Sequence, residues 1–486
     1  MRIKKVFDNC YIDYNYYLNY KNNYLFLKFF INKHNKKYLN SIINKDYIID
    51  DKKLDKNQKE AVFSDENNIL VLSSAGSGKT LTICAKIRYL IEEKNIKENE
   101  ILCLSFTNDS VNDLKERINY NVDIFTFHKL ALEILKDYNI SNSIASNYLE
   151  YIIEEIFISI CKDIDPKTLK YFVNTISCFI NLLKNNNYNI DKIKKNNNLL
   201  KVIEKIYYIY EEELYSSGLI DFNDMINKTI ELINKKGLKR YYKYIIIDEF
   251  QDISLNRYNL IKTIKDACNT KLFVVGDDYQ SIYRFAGSYL KLVTDFKKYF
   301  GYTKIIKLVN TYRNSLELIK ASNSFILKNK NQIKKNINSN KHIDKPIKII
   351  YFDKNLDIKF NKLVDEIDTK IMVLGRNNYD LELVSNDNKK LSFYTVHKSK
   401  GLEEENVIVL NLVDDRYGFP NKKKEEVLDL LLPKEKYLYE EERRLFYVAL
   451  TRTKNNVFLF VDKNKPSVFI KEIIRKNKKY IEVLNL

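Results

Sequence analysis

Apolar residues fall in two rhythms along this chain. From Asn68 to Phe127, short apolar runs at Ile69–Leu72, Ile101–Phe106 and Asp123–Phe127 alternate with stretches of helical period. Short apolar strands alternating with helices are the rhythm of a parallel sheet. From about Leu132 to Ser216 the helical period is continuous with no strand-like run, which predicts a helical insertion; the tracts Asn185–Asn187 and Lys194–Asn198 read as loops inside it. Strand-like runs return at Tyr244–Ile247, Leu272–Val275, Ile305–Leu308, Ile347–Tyr351, Ile371–Leu374, Phe393–Val396, Val407–Leu410 and Val457–Phe460. Among them, the Lys- and Asn-rich segment Lys328–Lys345 reads as surface. The first fifty residues read as helical and aromatic-rich, from Tyr11 to Tyr38, and close on a polar link, Asp50-Asp51-Lys52-Lys53. No repeat of fixed period is present. The fold class is α/β.

Length and charge narrow the partner. The chain has 486 residues, with 82 Lys plus Arg against 64 Asp plus Glu, a formal charge of +18. Such an excess suits a polyanion, nucleic acid before an acidic membrane surface. The same Lys and Asn enrichment runs the whole length, as AT-biased coding also produces, so charge alone leaves both readings open. No stretch approaches the roughly 18 apolar residues of a membrane helix, so no membrane partner is expected. Met1-Arg2-Ile3-Lys4-Lys5 runs on into Asp8, Asn9 and Asp13, which is no signal-peptide core. Cys10, Cys84, Cys103, Cys161, Cys178 and Cys268 form no CxxC pair, which argues against a disulfide scaffold or a zinc site. The expected location is cytoplasmic.

Glycine is scarce, 10 in all, so its placement is informative. Gly76 and Gly78 lie in Ser73-Ser74-Ala75-Gly76-Ser77-Gly78-Lys79-Thr80, between the run Ile69–Leu72 and a helical stretch. A phosphate-binding loop needs small residues so that backbone N–H groups reach the oxygens, a Lys for the outer phosphates and a hydroxyl for Mg²⁺. Ser73 stands where the usual pattern begins with Gly. The second half of a nucleotide site is a carboxylate at the end of an apolar strand. Tyr244–Ile247 followed by Asp248-Glu249 supplies it, Asp248 for the metal and Glu249 to orient and deprotonate water.

The stretch Asp248-Glu249-Phe250-Gln251-Asp252, then Gly276-Asp277-Asp278-Tyr279-Gln280-Ser281-Ile282-Tyr283, resembles the UvrD/Rep group of superfamily 1 DNA helicases. The rest of that series follows in order: Gln58, Phe106-Thr107-Asn108, Thr126-Phe127-His128, Asn310-Thr311-Tyr312-Arg313, Thr395 to Glu403, and Glu442 to Arg452. The lead-in Phe29–Tyr38 and Tyr417-Gly418-Phe419-Pro420 point to the helicase IV-like branch. The resemblance implies two RecA-like parallel-sheet domains of the phosphate-loop class: residues 51–131 with 217–288 as the first, 132–216 as its helical insertion, 289–486 as the second, and 1–50 as an N-terminal helical segment. It implies ATP and Mg²⁺ as cofactors, and single-stranded DNA and 3′-tailed duplex as partners. Ser74, Ala75, Gly76, Ser77, Gly78, Lys79 and Thr80 would cradle phosphates. Gln58 would read adenine, Tyr312 would stack on it and Glu403 would take the ribose. Thr80 and Asp248 would hold the metal. Glu249, Lys79, Arg313, Arg452 and the γ-phosphate sensor Gln280 would carry the chemistry. Phe106, Thr107, Thr126, His128, Tyr283, Phe285 and His397 would line the strand track, although core aromatics and hydrogen-bonding histidines also fit those letters.

The departures from that pattern carry expectations of their own. Phe285-Ala286 stands where relatives often carry Trp-Arg, which shrinks the base platform and removes a cation. Leu81 stands where an Arg often sandwiches adenine. Relatives often insert a helical subdomain after the strand end Gly375-Arg376, but here only residues 379–392 are available, so that subdomain is expected to be absent or a loop. The function implied is ATP-dependent 3′→5′ DNA helicase or translocase activity in repair, replication or recombination. The alternatives are a translocase that needs an accessory protein to unwind, an ATP-gated nucleic-acid switch, and an RNA substrate.

Overall fold

The computed structural model describes residues 10–22, 26–140, 143–193, 198–423 and 426–486. The readings placed on Met1–Lys5 and on most of Lys194–Asn198 lie outside the described residues. The long apolar runs become two six-stranded sheets, each parallel throughout. The first runs Lys304–Lys307, Asn68–Leu72, Lys271–Gly276, Tyr244–Ile247, Ile101–Ser105 and Asp123–Thr126, in spatial order. The second runs Leu391–Thr395, Ile371–Gly375, Asn406–Leu412, Val457–Asp462, Ile347–Phe352 and Ile481–Leu484.

Their central strands are buried end to end because helices cover both faces. On one face of the first sheet Leu70, Leu72 and Ile245 pack against helices Phe127–Asp137, Phe222–Lys236 and Leu255–Cys268; on the other Ile69, Val71 and Ile246 pack against Lys56–Phe63 and Lys79–Glu92. The second sheet repeats this, with Val407 and Leu459 on one face and Ile408 and Phe460 on the other.

Several boundaries differ from the sequence reading. The expected change of domain at 289 falls too early, because strand Lys304–Lys307 pairs with Asn68–Leu72 and completes the first sheet. The expected start of the insertion at 132 is also early. Helix Phe127–Asp137 keeps Leu130, Ala131, Ile134 and Leu135 in the first core. The insertion is instead pinched off by a two-residue parallel pair, Ser143–Ile144 with Leu219–Ile220, too short to show as a strand-like run. Beyond that neck, helices Tyr148–Ile160, Pro166–Asn185 and Asn198–Ser216 build a separate core, into which Val427, Leu428 and Leu431 also pack. The polar link at Asp50-Asp51 is a tight antiparallel turn between Ile48–Ile49 and Lys52–Lys53, both aspartates at positive φ. Between strands Ile371–Gly375 and Leu391–Thr395 the chain makes a four-residue helix, Asn378–Leu381, and a loop.

The clearest correction concerns Lys328–Lys345, which is only in part a surface segment: Lys330, Lys334, Asn336 and Asn340 are exposed, but Gln332, Lys335 and Ile337 are buried. Lys335 within it is buried, its side chain wholly out of solvent between Asp277 and Asp278. Composition misleads here because two buried carboxylates supply the ammonium with partners.

Candidate functional site

The candidate residues sit on loops at the carboxyl ends of parallel strands, where open α/β sheets bind ligands. Strand Asn68–Leu72 feeds the loop Ser73–Gly78, which opens helix Lys79–Glu92. Gly78 takes the N-cap position at φ +74, and no side chain caps the first turn of the helix. A Cβ at Gly76 would lie 2.5 Å from the Arg313 Cβ, and one at Gly78 would lie 2.6 Å from Gln58 Nε2. Both glycines therefore let the Arg313 and Gln58 side chains press on the loop. Ser73 takes the first position usefully: its N–H and hydroxyl both donate to Gly276 O, at 2.9 and 3.0 Å. Ser74 Oγ donates to Leu308 O at 3.2 Å, and Ser77 Oγ accepts from Ser74 N. Ala75 O accepts from Thr311 Oγ1 at 2.7 Å, while Thr80 stands half-buried in the helix's first turn.

Lys79 Nζ lies 2.5 Å from Glu249 Oε1. Burial opposes its charge, but Glu249, Asp248 and Asp277 override that and hold its pKa above the ordinary lysine value. Glu249 has φ +49, a left-handed conformation rare outside glycine and a common mark of functional sites. Burial pushes its carboxyl up, yet Lys79 and Lys400 prevail and keep it ionised. Asp248 beside it moves the other way, raised by burial and by the Glu249 charge. Asp248 Oδ1 accepts the Glu249 N–H at 2.8 Å.

The opposite wall is made of amides and arginines. Gln280 Nε2 donates to Asp277 Oδ2 at 2.6 Å, and its Oε1 accepts from Arg452 Nη2 at 2.8 Å. Arg452 is buried and also donates to Val448 O and Leu402 O; burial and the neighbouring Arg313 lower its pKa to about 9. Arg313 Nε donates to Glu403 Oε2 at 2.6 Å and its Nη1 to Thr451 O at 3.1 Å. Gln58 Nε2 donates to Ser77 O at 3.1 Å. Gln58 also forms a capping box with Asp55, whose other oxygen accepts from Tyr312 Oη at 2.9 Å. Tyr312 is 62 % exposed and borders a cavity of about 340 Å³ shared with Asp55, Asn310 and Lys341. A larger cleft of about 780 Å³ between helices Phe222–Lys236 and Leu255–Cys268 contains none of these groups.

The aromatic candidates form one continuous run. Phe106 and Tyr283 stack at 5.7 Å and 11°, Phe285 meets Tyr283 edge-on at 6.1 Å, and His397 lies 5.6 Å from Phe285. Tyr283 Oη donates to His397 O at 3.2 Å, and Phe285 is 45 % exposed. His128 stands apart from this run against Phe222, at 5.2 Å. Burial, with Arg257 beside His128 and with Arg376 and Lys400 beside His397, lowers both imidazoles to about 4. Thr107 and Thr126 cap the helices Asn108–Arg117 and Phe127–Asp137 through their hydroxyls.

Sequence reasoning gave no role to Lys400, Asp252, Arg257, Asp55 or Lys335. Lys400 Nζ donates to the Asp252 carboxylate and to Gln280 O, lies 3.8 Å from Glu249 Oε2 and sits 5.0 Å above the Tyr283 ring. Its signal was its place in the segment His397–Gly401. Arg257 lies 4.8 Å over Phe106 and had no sequence signal.

The donor set suits Mg²⁺ and a nucleoside triphosphate. Two adjacent carboxylates, Asp248 buried and Glu249 half-buried, the first with its proton affinity raised by the second, would be relieved by a divalent cation, and the side-chain-free Gly76 and Gly78 leave a loop that backbone N–H groups can line. Among the described residues no group of three or more His, Cys, Asp or Glu side chains is placed to hold a metal ion.

A strand–loop–helix turn with glycines on one parallel sheet, met by arginines from the approach to a second, is the layout of the two-domain RecA-like fold of phosphate-loop proteins. Family comparison narrows the class. The UvrD/REP helicase N-terminal domain matches residues 54–301, and the UvrD-like helicase C-terminal domain matches residues 375–464. The chain belongs to the UvrD/REP helicase family. It is 29 % identical to DNA helicase IV of Escherichia coli K12, over 86 % of this chain and 69 % of that protein. It is 31 % identical to the ATP-dependent DNA helicase Rep of Buchnera aphidicola (subspecies Acyrthosiphon pisum), over 74 % of this chain and 61 % of that one, and 30 % identical to the ATP-dependent DNA helicase PcrA of Bacillus subtilis, over 61 % and 42 %. The chain thus spans less than two thirds of the length of Rep and PcrA. No described helix is long and apolar enough to cross a membrane.

Proposed function

We propose that this chain is an ATP-driven motor that moves 3′→5′ along single-stranded DNA and separates duplex ahead of it, in repair, replication or recombination. The observation that carries the reading is Lys400: one ammonium joins Glu249 and Asp252 on the phosphate side to Gln280 and to Tyr283 on the aromatic run.

In this reading, bound Mg²⁺·ATP supplies the scissile phosphoryl group and the cation that offsets its charge. Lys79 and the N–H groups of Ser74 to Thr80 hold phosphate oxygens, and Thr80 and Asp248 hold the metal. Glu249 orients the attacking water and accepts its proton at a carboxylate oxygen that Lys79 and Lys400 keep ionised. Gln280 senses the outer phosphate. Arg313 and Arg452 stabilise the charge developing there, leaving Glu403 and Gln280 respectively. Freed of Arg313, Glu403 takes the ribose hydroxyl, Tyr312 stacks on the base and Gln58 reads its edge. Phe106, Tyr283 and Phe285 stack on successive bases, with Thr107, Thr126, His128 and His397 beside the backbone. Residues 51–140 with 219–308 then act as one motor half and the second sheet as the other.

A second reading, translocation that needs an accessory protein to unwind, is favoured by the short connection between Ile371–Gly375 and Leu391–Thr395. The deciding experiment is ATP-dependent strand displacement on duplexes with a 3′ or a 5′ single-stranded tail, at low salt because phosphate contacts weaken steeply with ionic strength. Displacement of the 3′-tailed duplex alone is expected. Displacement of the 5′-tailed duplex, or hydrolysis indifferent to single strands, would refute the proposal. ATP consumption on single strands with no displacement selects the second reading.

A further inference from the structure

The chain between the two sheets does more than connect them. After helix Leu316–Ile326 it returns to the first sheet and clasps the turn that follows strand Lys271–Gly276. Gln332 Nε2 donates to Asp278 O at 2.6 Å and to Asp278 Oδ2 at 3.0 Å; Ile333 N donates to the same carboxylate at 2.7 Å. Lys335 goes deepest. Its ammonium lies 2.5 Å from Asp277 Oδ1, 2.8 Å from Asp278 Oδ1 and 2.8 Å from Ser73 O, the first carbonyl of the phosphate-type loop, and 3.8 Å over the Tyr279 ring. None of the three charged side chains touches solvent. Three residues on, Asn338 N donates to Val309 O at 2.7 Å and Thr311 N to Asn338 O at 2.9 Å, beside Tyr312 and Arg313.

The consequence lies in Asp277. One of its oxygens faces Lys335 and the other accepts the Gln280 amide, which in turn presents Oε1 to Arg452. An amide has one accepting and one donating end, so whichever group fixes Asp277 as an acceptor also fixes which end of Gln280 faces Arg452. A buried ammonium is that group. We propose that Lys335 is a positioning residue for hydrolysis: by anchoring Asp277 and Ser73 together it sets the orientation of the Gln280 amide, and it ties that orientation to the connector that carries Tyr312 and Arg313. The proposal rests on the motor reading above and deepens it. When Gln280 turns to an outer phosphate, the Asp277–Lys335 contact is the stationary end of the lever.

The test compares wild type with Lys335→Met and Asp277→Asn, each first shown to be folded by circular dichroism. Asp277 accepts from three donors, Lys335 Nζ and Tyr279 N at one oxygen and Gln280 Nε2 at the other, so an asparagine whose single oxygen keeps the first two presents a donating Nδ2 to Gln280 and either turns that amide round or breaks the contact. Lys335 keeps Asp278, which makes this the variant to rely on if Lys335→Met does not fold. The measurements are single-strand-stimulated ATP hydrolysis and affinity for a fluorescent ATP analogue. We expect kcat to fall about tenfold or more, as for a lost charge-assisted hydrogen bond, with nucleotide Kd changed less than about threefold. Adding Gln280→Ala to either variant should cost no further rate, since both act through one amide. A merely structural lysine would lower apparent binding and turnover together and would combine multiplicatively with Gln280→Ala. That pattern, or wild-type kcat in Asp277→Asn, overturns the assignment to Lys335 while leaving the motor reading intact. A wild-type chain without strand-stimulated hydrolysis overturns the motor reading and this inference with it.

Discussion

Replacing Glu249 by Gln should move nucleotide affinity and turnover in opposite directions. In the structure Lys79 is occupied: its ammonium lies 2.5 Å from Glu249, and both side chains are at most one-fifth exposed. A phosphate that takes Lys79 must first displace this carboxylate, and it then sits near a negative charge. Glutamine keeps the shape and one acceptor oxygen but removes the charge. The contact therefore drops from a charge-assisted bond of about 1.5–3 kcal/mol to a neutral one of about 0.5–1.5. A difference of about 1 kcal/mol, with the repulsion of phosphate relieved as well, corresponds to roughly five- to tenfold tighter nucleotide binding. Turnover should fall about 10²- to 10⁴-fold, the usual contribution of a positioned general base. The assay is a fluorescent-nucleotide titration in Mg²⁺ set beside phosphate release on a saturating single-stranded oligonucleotide. A variant that binds nucleotide more weakly than wild type would refute the competition argument, and one that hydrolyses ATP at the wild-type rate would refute the assignment of the base.

Three further outcomes are expected. Phe106→Ala and Tyr283→Ala should each weaken single-strand binding by about 1–3 kcal/mol, read by fluorescence anisotropy at one fixed low salt concentration. Because the rings stack at 5.7 Å, the double variant should lose less than the sum. His128 and His397 should make the fold acid-sensitive. Their folded pKa of about 4 lies below the ordinary 6.5, so the unfolded chain takes up protons that the folded one refuses. Stability present in full above pH 6.5 is therefore lost as pH falls through 6.5 towards 4, by about 2 kcal/mol per histidine at pH 5. Chemical denaturation of His128→Gln at pH 7 and pH 5 should show a smaller difference than wild type. Gly76→Ala should lower the melting temperature and abolish hydrolysis, because φ +67 costs a side-chain-bearing residue about 1–2 kcal/mol and its Cβ would strike the Arg313 Cβ at 2.5 Å. Normal hydrolysis by this variant would show that Arg313 need not sit on the loop.

How much of this was legible in the sequence depends on whether a residue announces its environment locally. The strands were, because burial on both faces leaves uninterrupted apolar runs such as Ile245-Ile246-Ile247. The phosphate-type loop was, because Gly76 and Gly78 answer a backbone demand that few other residues meet. The boundary near 289 was not. A strand carries no mark of which sheet it joins, and Lys304–Lys307, with exposed Ile305 and Lys307, reads as an edge of either. The end strand Ile481–Leu484 was missed for a related reason, as its alternate residues face outward. Lys335 was illegible in principle: in a tract rich in Lys and Asn nothing local separates one ammonium destined for Asp277 and Asp278, some sixty positions upstream, from its solvated neighbours. Lys400 and Asp252 lay inside recognised segments, yet their partnership spans the two sheets and shows only in three dimensions.

These long-range ion pairs also decide how the two sheets can move. A contact made only of apolar faces can slide, since one methyl replaces another at little cost. Lys400 cannot slide. Leaving would strand the buried Asp252 carboxylate, since Glu249 keeps Lys79, a penalty of several kcal/mol unless another cation arrives. Arg452 and Gln280 are bound by the same rule. The interface therefore favours discrete arrangements, each with its charges satisfied, over a continuum of positions. A polyanionic ligand carrying its own divalent cation is the kind of species that can exchange one satisfied set for another. On this argument the element that transmits the exchange is Lys400, whose ammonium already touches both the carboxylates at the end of strand Tyr244–Ile247 and the ring of Tyr283.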